Sequence, residues 1–146
     1  GSIRGGDAKR RGGFVKDRQD SSYADDWLMV ARRDWHRIHV MLVDGDADGA
    51  GFFLQQALEK YLKAFLLQRG WKLKKVHTLQ SLLDEASAFA PDLASLRPVC
   101  ERVSGFYIGE RYPSIGVEGL QLEDINSELP EARLLIAKLC PDEQLE

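Results

Sequence analysis

Arg111 stands in the stretch GERYPSIGVEGL, residues 109–120, between Tyr107 and Tyr112 and just ahead of Pro113. A guanidinium keeps its proton near neutral pH and matches a phosphate with two parallel hydrogen bonds. Tyr107, Tyr112 and Phe106 offer rings on which a base could stack. A plainer part also fits. Arginine near a helix C-terminus satisfies terminal carbonyls, and here it could pair with Glu110. Both readings stay open on spacing alone.

A second set of polar residues falls at helical spacing. Gln55, Glu59 and Lys63 recur every fourth position, with Gln56 and Lys60 beside them. They form either a solvated face, with a Glu59–Lys63 pair worth about 0.3–0.5 kcal/mol, or a polar cluster between helices. Asp34 shares its register with Trp27, Ala31 and Ile38, which predicts partial burial. A buried carboxylate needs a partner, and Lys60 is the expected one. The expected role of this cluster is structural. His77 is read as a helix cap, with Thr78 as the other candidate. His36, His39 and His77 with Cys100 and Cys140 show no metal-ligand spacing. There is no glycine-rich phosphate loop, so neither metal nor cofactor is expected.

The elements that would position these groups are helical. Trp27, Ala31, Ile38 and Leu42 recur at helical spacing until the DGDADGAG stretch, residues 44–51, breaks the pattern. Leu54, Leu58, Tyr61, Leu62 and Phe65 give a second helix a wide apolar face, and Gly70 closes it. A third helix is expected over residues 77–89. Pro91 opens a new segment, and a fourth helix begins with Pro98 in its first turn. Ile125, Leu129, Ala132, Ile136 and Leu139 mark the last helix, which Pro130 is expected to kink or divide. No stretch alternates as a strand does. The pattern predicts an all-α, up-and-down bundle of four or five helices, with Trp27, Trp35, Phe53 and Phe65 as core or dimer-interface residues.

With 146 residues, the chain fits one domain. Its net charge of −3 excludes a generic polyanion binder, but the balance is uneven. Residues 1–20 carry six cations against three anions and almost no large apolar side chains. Such a segment cannot bury enough surface to order itself and is read as a disordered basic tail. Its Lys9-Arg10-Arg11 run reads as a solvated terminus in preference to a nucleic-acid arm. Residues 21–141 form the bundle and 142–146 a C-terminal tail. Cys100 and Cys140 read as reduced, half-buried thiols of a cytoplasmic protein, and no apolar run is long enough for a membrane span.

The stretch QQALEKYLKAFLLQRGWKLKKVHTLQSLL, which runs from the second helix into the third, resembles the HEPN domain family, the nucleotide-binding helical domain of higher eukaryotes and prokaryotes. The matching residues are Trp27, Ala31 and Asp34 in the first helix, then Gln55, Gln56, Ala57, Glu59, Lys60, Lys63 and Ala64, then His77 and Leu79. The similarity covers about residues 24–139. It implies a helical bundle that pairs with its twin, often beside a small nucleotidyltransferase in toxin–antitoxin or defence systems. Active members are metal-independent RNA endonucleases marked by an arginine and, a few residues on, a histidine. Arg111 matches the arginine, but the histidine positions hold Gly116, Val117 and Glu118. The chain thus resembles the branch with Arg-Tyr-Pro in place of the catalytic pair. Glu118 is a poor substitute base, because a nearby arginine lowers its pKa.

The expectation is a homodimeric module that binds a nucleotide or RNA through Arg111, Tyr112, Tyr107 and Glu118. It has no catalytic residues and works with a nucleotidyltransferase-like protein. The alternatives are an RNA endonuclease toxin that uses Arg111 and a purely structural dimerisation module.

Overall fold

The structure is a computed structural model that describes residues 23–72, 74–75, 78–111 and 119–145, with backbone alone for 107–111. Among the described residues, five α-helices make a bundle: α1, Ala24–Asp44; α2, Ala47–Gln68; α3, Leu79–Ser87; α4, Arg97–Arg111; and α5, Leu122–Leu139. A 3-10 helix, Pro91–Leu96, leads into α4. No strand occurs among the described residues. The all-α expectation is met.

α1 and α2 form the tightest pair. They run antiparallel, since Trp27 at the start of α1 meets Lys63 late in α2, and Arg37 late in α1 meets Phe53 early in α2. Gly45 makes the reversal at φ +80°, a value that L side chains rarely adopt. Its N–H bonds the Leu42 carbonyl, and the next N–H bonds that of Met41. Asp46 then caps α2 by accepting from the Gly49 N–H at 2.8 Å. Helix α2 therefore starts inside the stretch expected to be a break, with Gly49 and Gly51 in its first two turns. Gly51 is needed for packing. A β-carbon there would stand 2.7 Å from Leu120 Cδ1 and 3.4 Å from the Phe106 β-carbon.

α2 is the central helix and packs against all four others. Leu54, Leu58 and Leu62 are fully buried on it, against Ala31 and Ile38 of α1 and Ile136 of α5. Thr78 caps α3 through the Ser81 N–H; His77 lies outside the described residues. Gln121 and Asp124 form a reciprocal cap at the start of α5. Pro130 does not divide α5, which continues through it to Leu139. The burial of Ile125 and Leu129 before the proline, and of Ala132 and Ile136 after it, holds both halves on one core face.

Cys100 is buried and Cys140 half-buried, and both are free thiols. Burial pushes the Cys100 pKa up to about 12, which keeps it an unreactive thiol. The expected disordered segment, residues 1–20, lies outside the described residues.

Candidate functional site

The polar stripe on α2 faces inward. Gln55, Lys60 and Lys63 are each less than a tenth exposed, as is Asp34 opposite them on α1. Lysine can do this because its stem is apolar and lies along hydrophobic surface. Here that surface is Trp27, with the Lys63 ammonium 5.0 Å and the Lys60 ammonium 5.9 Å from the ring centroid. Each head group then needs a partner. Lys63 bonds Glu59 at 2.6 Å. Lys60 donates to Gln56 Oε1 at 2.8 Å, and Gln56 in turn donates to Gln55 at 2.7 Å.

The expected Asp34–Lys60 bond is replaced by another arrangement. Asp34 takes its hydrogen bond from Arg37 at 3.2 Å, one helical turn away on α1, and Lys60 acts on it only through space. The i, i+3 geometry of a helix brings Arg37 within reach without any tertiary requirement. Both buried groups are therefore pushed toward neutrality. Burial raises the Asp34 pKa, against the opposing pull of Lys60 and Arg37. Burial lowers the Lys60 pKa, against the pull of Glu59 and Asp34. Lys60 thus binds fewer protons folded than unfolded. Its charge opposes folding below the lowered pKa, and the penalty fades as pH rises toward the ordinary lysine value. Lys60→Met should accordingly change unfolding free energy by less than about 1 kcal/mol, or stabilise, because a desolvated charge is removed while Asp34 and Glu59 keep their bonds from Arg37 and Lys63. Denaturant titration at neutral pH checks this, and a loss above about 3 kcal/mol would show that Lys60 and Asp34 act as one pair.

Beside this cluster an open cleft of about 330 Å³ lies between α1 and α2. Trp27, Asp34 and Arg37 line it from α1; Phe53, Gln56 and Lys60 line it from α2. Arg37 stands over the Phe53 ring at 5.5 Å from its centroid. Phe52 meets Phe53 edge-on at 5.3 Å. Aromatic walls, one carboxylate and two cations thus share one opening. Perturbed ionisable groups in a cleft are the usual mark of a working site.

Arg111 is the last residue of α4, and Tyr107 lies one turn before it. Tyr112 and Glu118 lie outside the described residues. The helix that carries Arg111 passes the start of α2, where Phe106 approaches Gly51. Leu120, beyond the segment 112–118, also packs on Gly51, and its N–H bonds Asp48 at 3.4 Å. The described residues on both sides of that segment therefore converge on the first turns of α2. His39 is engaged elsewhere, with Trp35 O at 3.1 Å and Arg133 at 3.5 Å.

Sequence reasoning missed one further cluster. Glu143, in the segment set apart as a tail, accepts from Arg32 through both oxygens at 2.8 and 2.9 Å. It also accepts from the Tyr61 hydroxyl at 2.6 Å. Leu145 packs on the core beside it. No periodicity marks a single acid beyond the last helix, so nothing in the pattern could have found this contact. Among the described residues no cluster of histidine, cysteine and acidic side chains could hold a metal ion, and no helix is long and apolar enough to cross a membrane.

Comparisons with known proteins bear on this geometry. The sequence model of the HEPN domain matches residues 24–140, which span all five helices. The crystal structure of TT1696 from Thermus thermophilus is similar, with 28% sequence identity and a TM-score of 0.66. That likeness covers 80% of this chain and 94% of the other. No curated protein matches the chain.

Proposed function

Because the chain belongs to the HEPN domain family, we propose that it is a nucleotide- or RNA-binding module that works as a homodimer without competent nuclease catalysis. The observation that carries this reading is the cleft between α1 and α2. It sets aromatic side chains beside buried charges, the combination that binds a base and its phosphate. Arg111 is a further cation for the phosphate backbone. The absence of histidine from positions 116–118 supports binding over cleavage, since histidine has the pKa suited to moving the proton of a ribose hydroxyl. Met29, Val40 and Val43 recur on one exposed stripe of α1 and favour a paired state. A nucleotidyltransferase-like partner, in a toxin–antitoxin or defence setting, completes the proposal.

The test is thermal unfolding with and without a short single-stranded RNA or mononucleotides, with light scattering on the same sample. A ligand that binds only the native state stabilises it, by about 2.7 kcal/mol at a hundredfold excess over its Kd. A raised midpoint and a dimer mass at micromolar concentration are expected. No shift with any of these ligands would leave the structural dimerisation module, and a monomer mass would remove the dimer.

A further inference from the structure

We propose that the cleft between α1 and α2 is a site for a guanine mononucleotide, in which Asp34 reads the base edge and Arg37 holds the phosphate. The proposal rests on the nucleotide-binding reading above and names the ligand of the same cleft.

Size comes first. About 330 Å³ is near the lower end of the roughly 300–1,000 Å³ range of small-ligand pockets. It suits one nucleotide and leaves no room for a longer strand inside the cleft. Half-buried Phe53 gives the cleft an aromatic side suited to a planar ring, with Trp27 buried beneath Lys63 and Lys60 at its floor.

Charge comes second. Asp34 is 5% exposed and Lys60 7%, yet they make no direct bond to each other. Asp34 is bonded by Arg37, and Lys60 by Gln56 with Glu59 at 3.8 Å, yet a carboxylate with about four lone-pair sites and an ammonium with three donors have capacity beyond these bonds, and both line the cleft. Asp34, Arg37 and Lys60 together carry a surplus of one positive charge, which favours an anionic ligand over a neutral nucleoside.

The base edge is set by the carboxylate. A carboxylate only accepts, through two oxygens with about four lone-pair sites. Arg37 uses one site on Oδ1. Guanine presents two adjacent donors, its ring N–H and its amino group, and so matches the acid in a bidentate way. Adenine presents its amino group beside a ring nitrogen whose lone pair the carboxylate repels. Burial raises the Asp34 pKa, so two further donors are the contacts that would hold it ionised. At the rim, the Arg37 side chain is 44% exposed, and its guanidinium has five N–H donors, more than the bond to Asp34 uses. It can grip a phosphate while still bound to Asp34, and so couples the two ends of the ligand.

Isothermal titration of the full chain with GMP, AMP and guanosine tests the assignment. GMP should bind at least about tenfold tighter than AMP, a difference of about 1.4 kcal/mol. Asp34→Asn should erase that preference, because an amide offers one acceptor and one donor in place of two acceptors. Arg37→Gln removes the guanidinium from a half-exposed side chain and keeps an amide N–H that can donate to Asp34, and the unfolding midpoint of the variant checks that the bundle is retained. The substitution should weaken GMP about tenfold and leave guanosine unchanged. Equal binding of GMP and AMP, or a preference that survives Asp34→Asn, overturns the assignment. If GMP fails to bind while single-stranded RNA still raises the unfolding midpoint, the cleft assignment fails and the RNA-binding reading stands. If neither binds, both fail.

Discussion

Arg111→Ala should weaken binding of a generic single-stranded RNA by at least about tenfold, or about 1.4 kcal/mol, and leave folding stability within about 0.5 kcal/mol. The two halves have separate grounds. Helix α4 ends at Arg111, and Pro113 disfavours helical backbone at the residue before it, so the helix cannot carry Arg111 deeper into the bundle. The binding loss follows from charge and shape, because a guanidinium bonds a phosphate in parallel pairs and alanine has no donor. The C-terminal end of α4 is the negative end of its dipole and partly offsets the arginine. Several cations must therefore act together, and the proposed dimer would supply a second copy of Arg111. Anisotropy of a labelled RNA reads the first half and denaturant titration the second. Wild-type protein in chelator should leave the same RNA intact over hours. Cleavage that vanishes in Arg111→Ala would promote the endonuclease reading, and unchanged binding would reduce Arg111 to a helix terminator.

Glu143→Ala should lower unfolding free energy by up to about 3 kcal/mol, although the residue lies beyond the last helix. Tyr61 is 1% exposed, and its hydroxyl donates to Glu143 at 2.6 Å. Without the acceptor a buried donor is left unpaired, at a cost of about 1–3 kcal/mol. The pH dependence separates charge from shape. Burial alone would raise the Glu143 pKa, but the bonds from Arg32 and Tyr61 outweigh it, and the net shift is downward. The folded chain thus binds fewer protons than the unfolded chain. The stabilisation is complete above the ordinary glutamate pKa of 4.5 and is lost as pH falls through the lowered folded value. Glu143→Gln keeps an acceptor for Tyr61 but cannot titrate. Its stability should be intermediate at neutral pH and should show a flatter acid limb than wild type. Identical midpoints for wild type and Glu143→Ala would mean that the segment after α5 is not docked in solution.

The helices were legible because their signals are local. Apolar spacing located α1, α2 and α5, and it placed Ile38, Leu58, Leu62 and Ile136 in the core where they are found. Pro98 and the His77–Thr78 pair marked the starts of α4 and α3 for reasons of backbone geometry and capping that need no tertiary context, although the cap is Thr78 and not the favoured His77. The same local rules misjudged the start of α2. Gly49 and Gly51 read as breakers, yet Asp46 caps a helix that runs through them, and the missing side chain at 51 lets Leu120 pack close. Of the two outcomes expected at Pro130, division does not occur, since core packing on both sides outweighs one missing backbone bond.

For the site, residue type and spacing alone singled out Arg111, Asp34 and the Gln55–Lys63 stripe. Spacing could not say whether the stripe met solvent or Trp27, because that depends on which helix lies across from it. Spacing also pointed to Lys60 as the donor to Asp34, where the structure has Arg37. The first choice requires two helices at a particular distance, while the second needs only one turn of α1, and the near contact prevailed. The cleft and the Glu143 anchor belong wholly to tertiary structure. Each joins residues far apart in the chain, and neither leaves a period in the sequence.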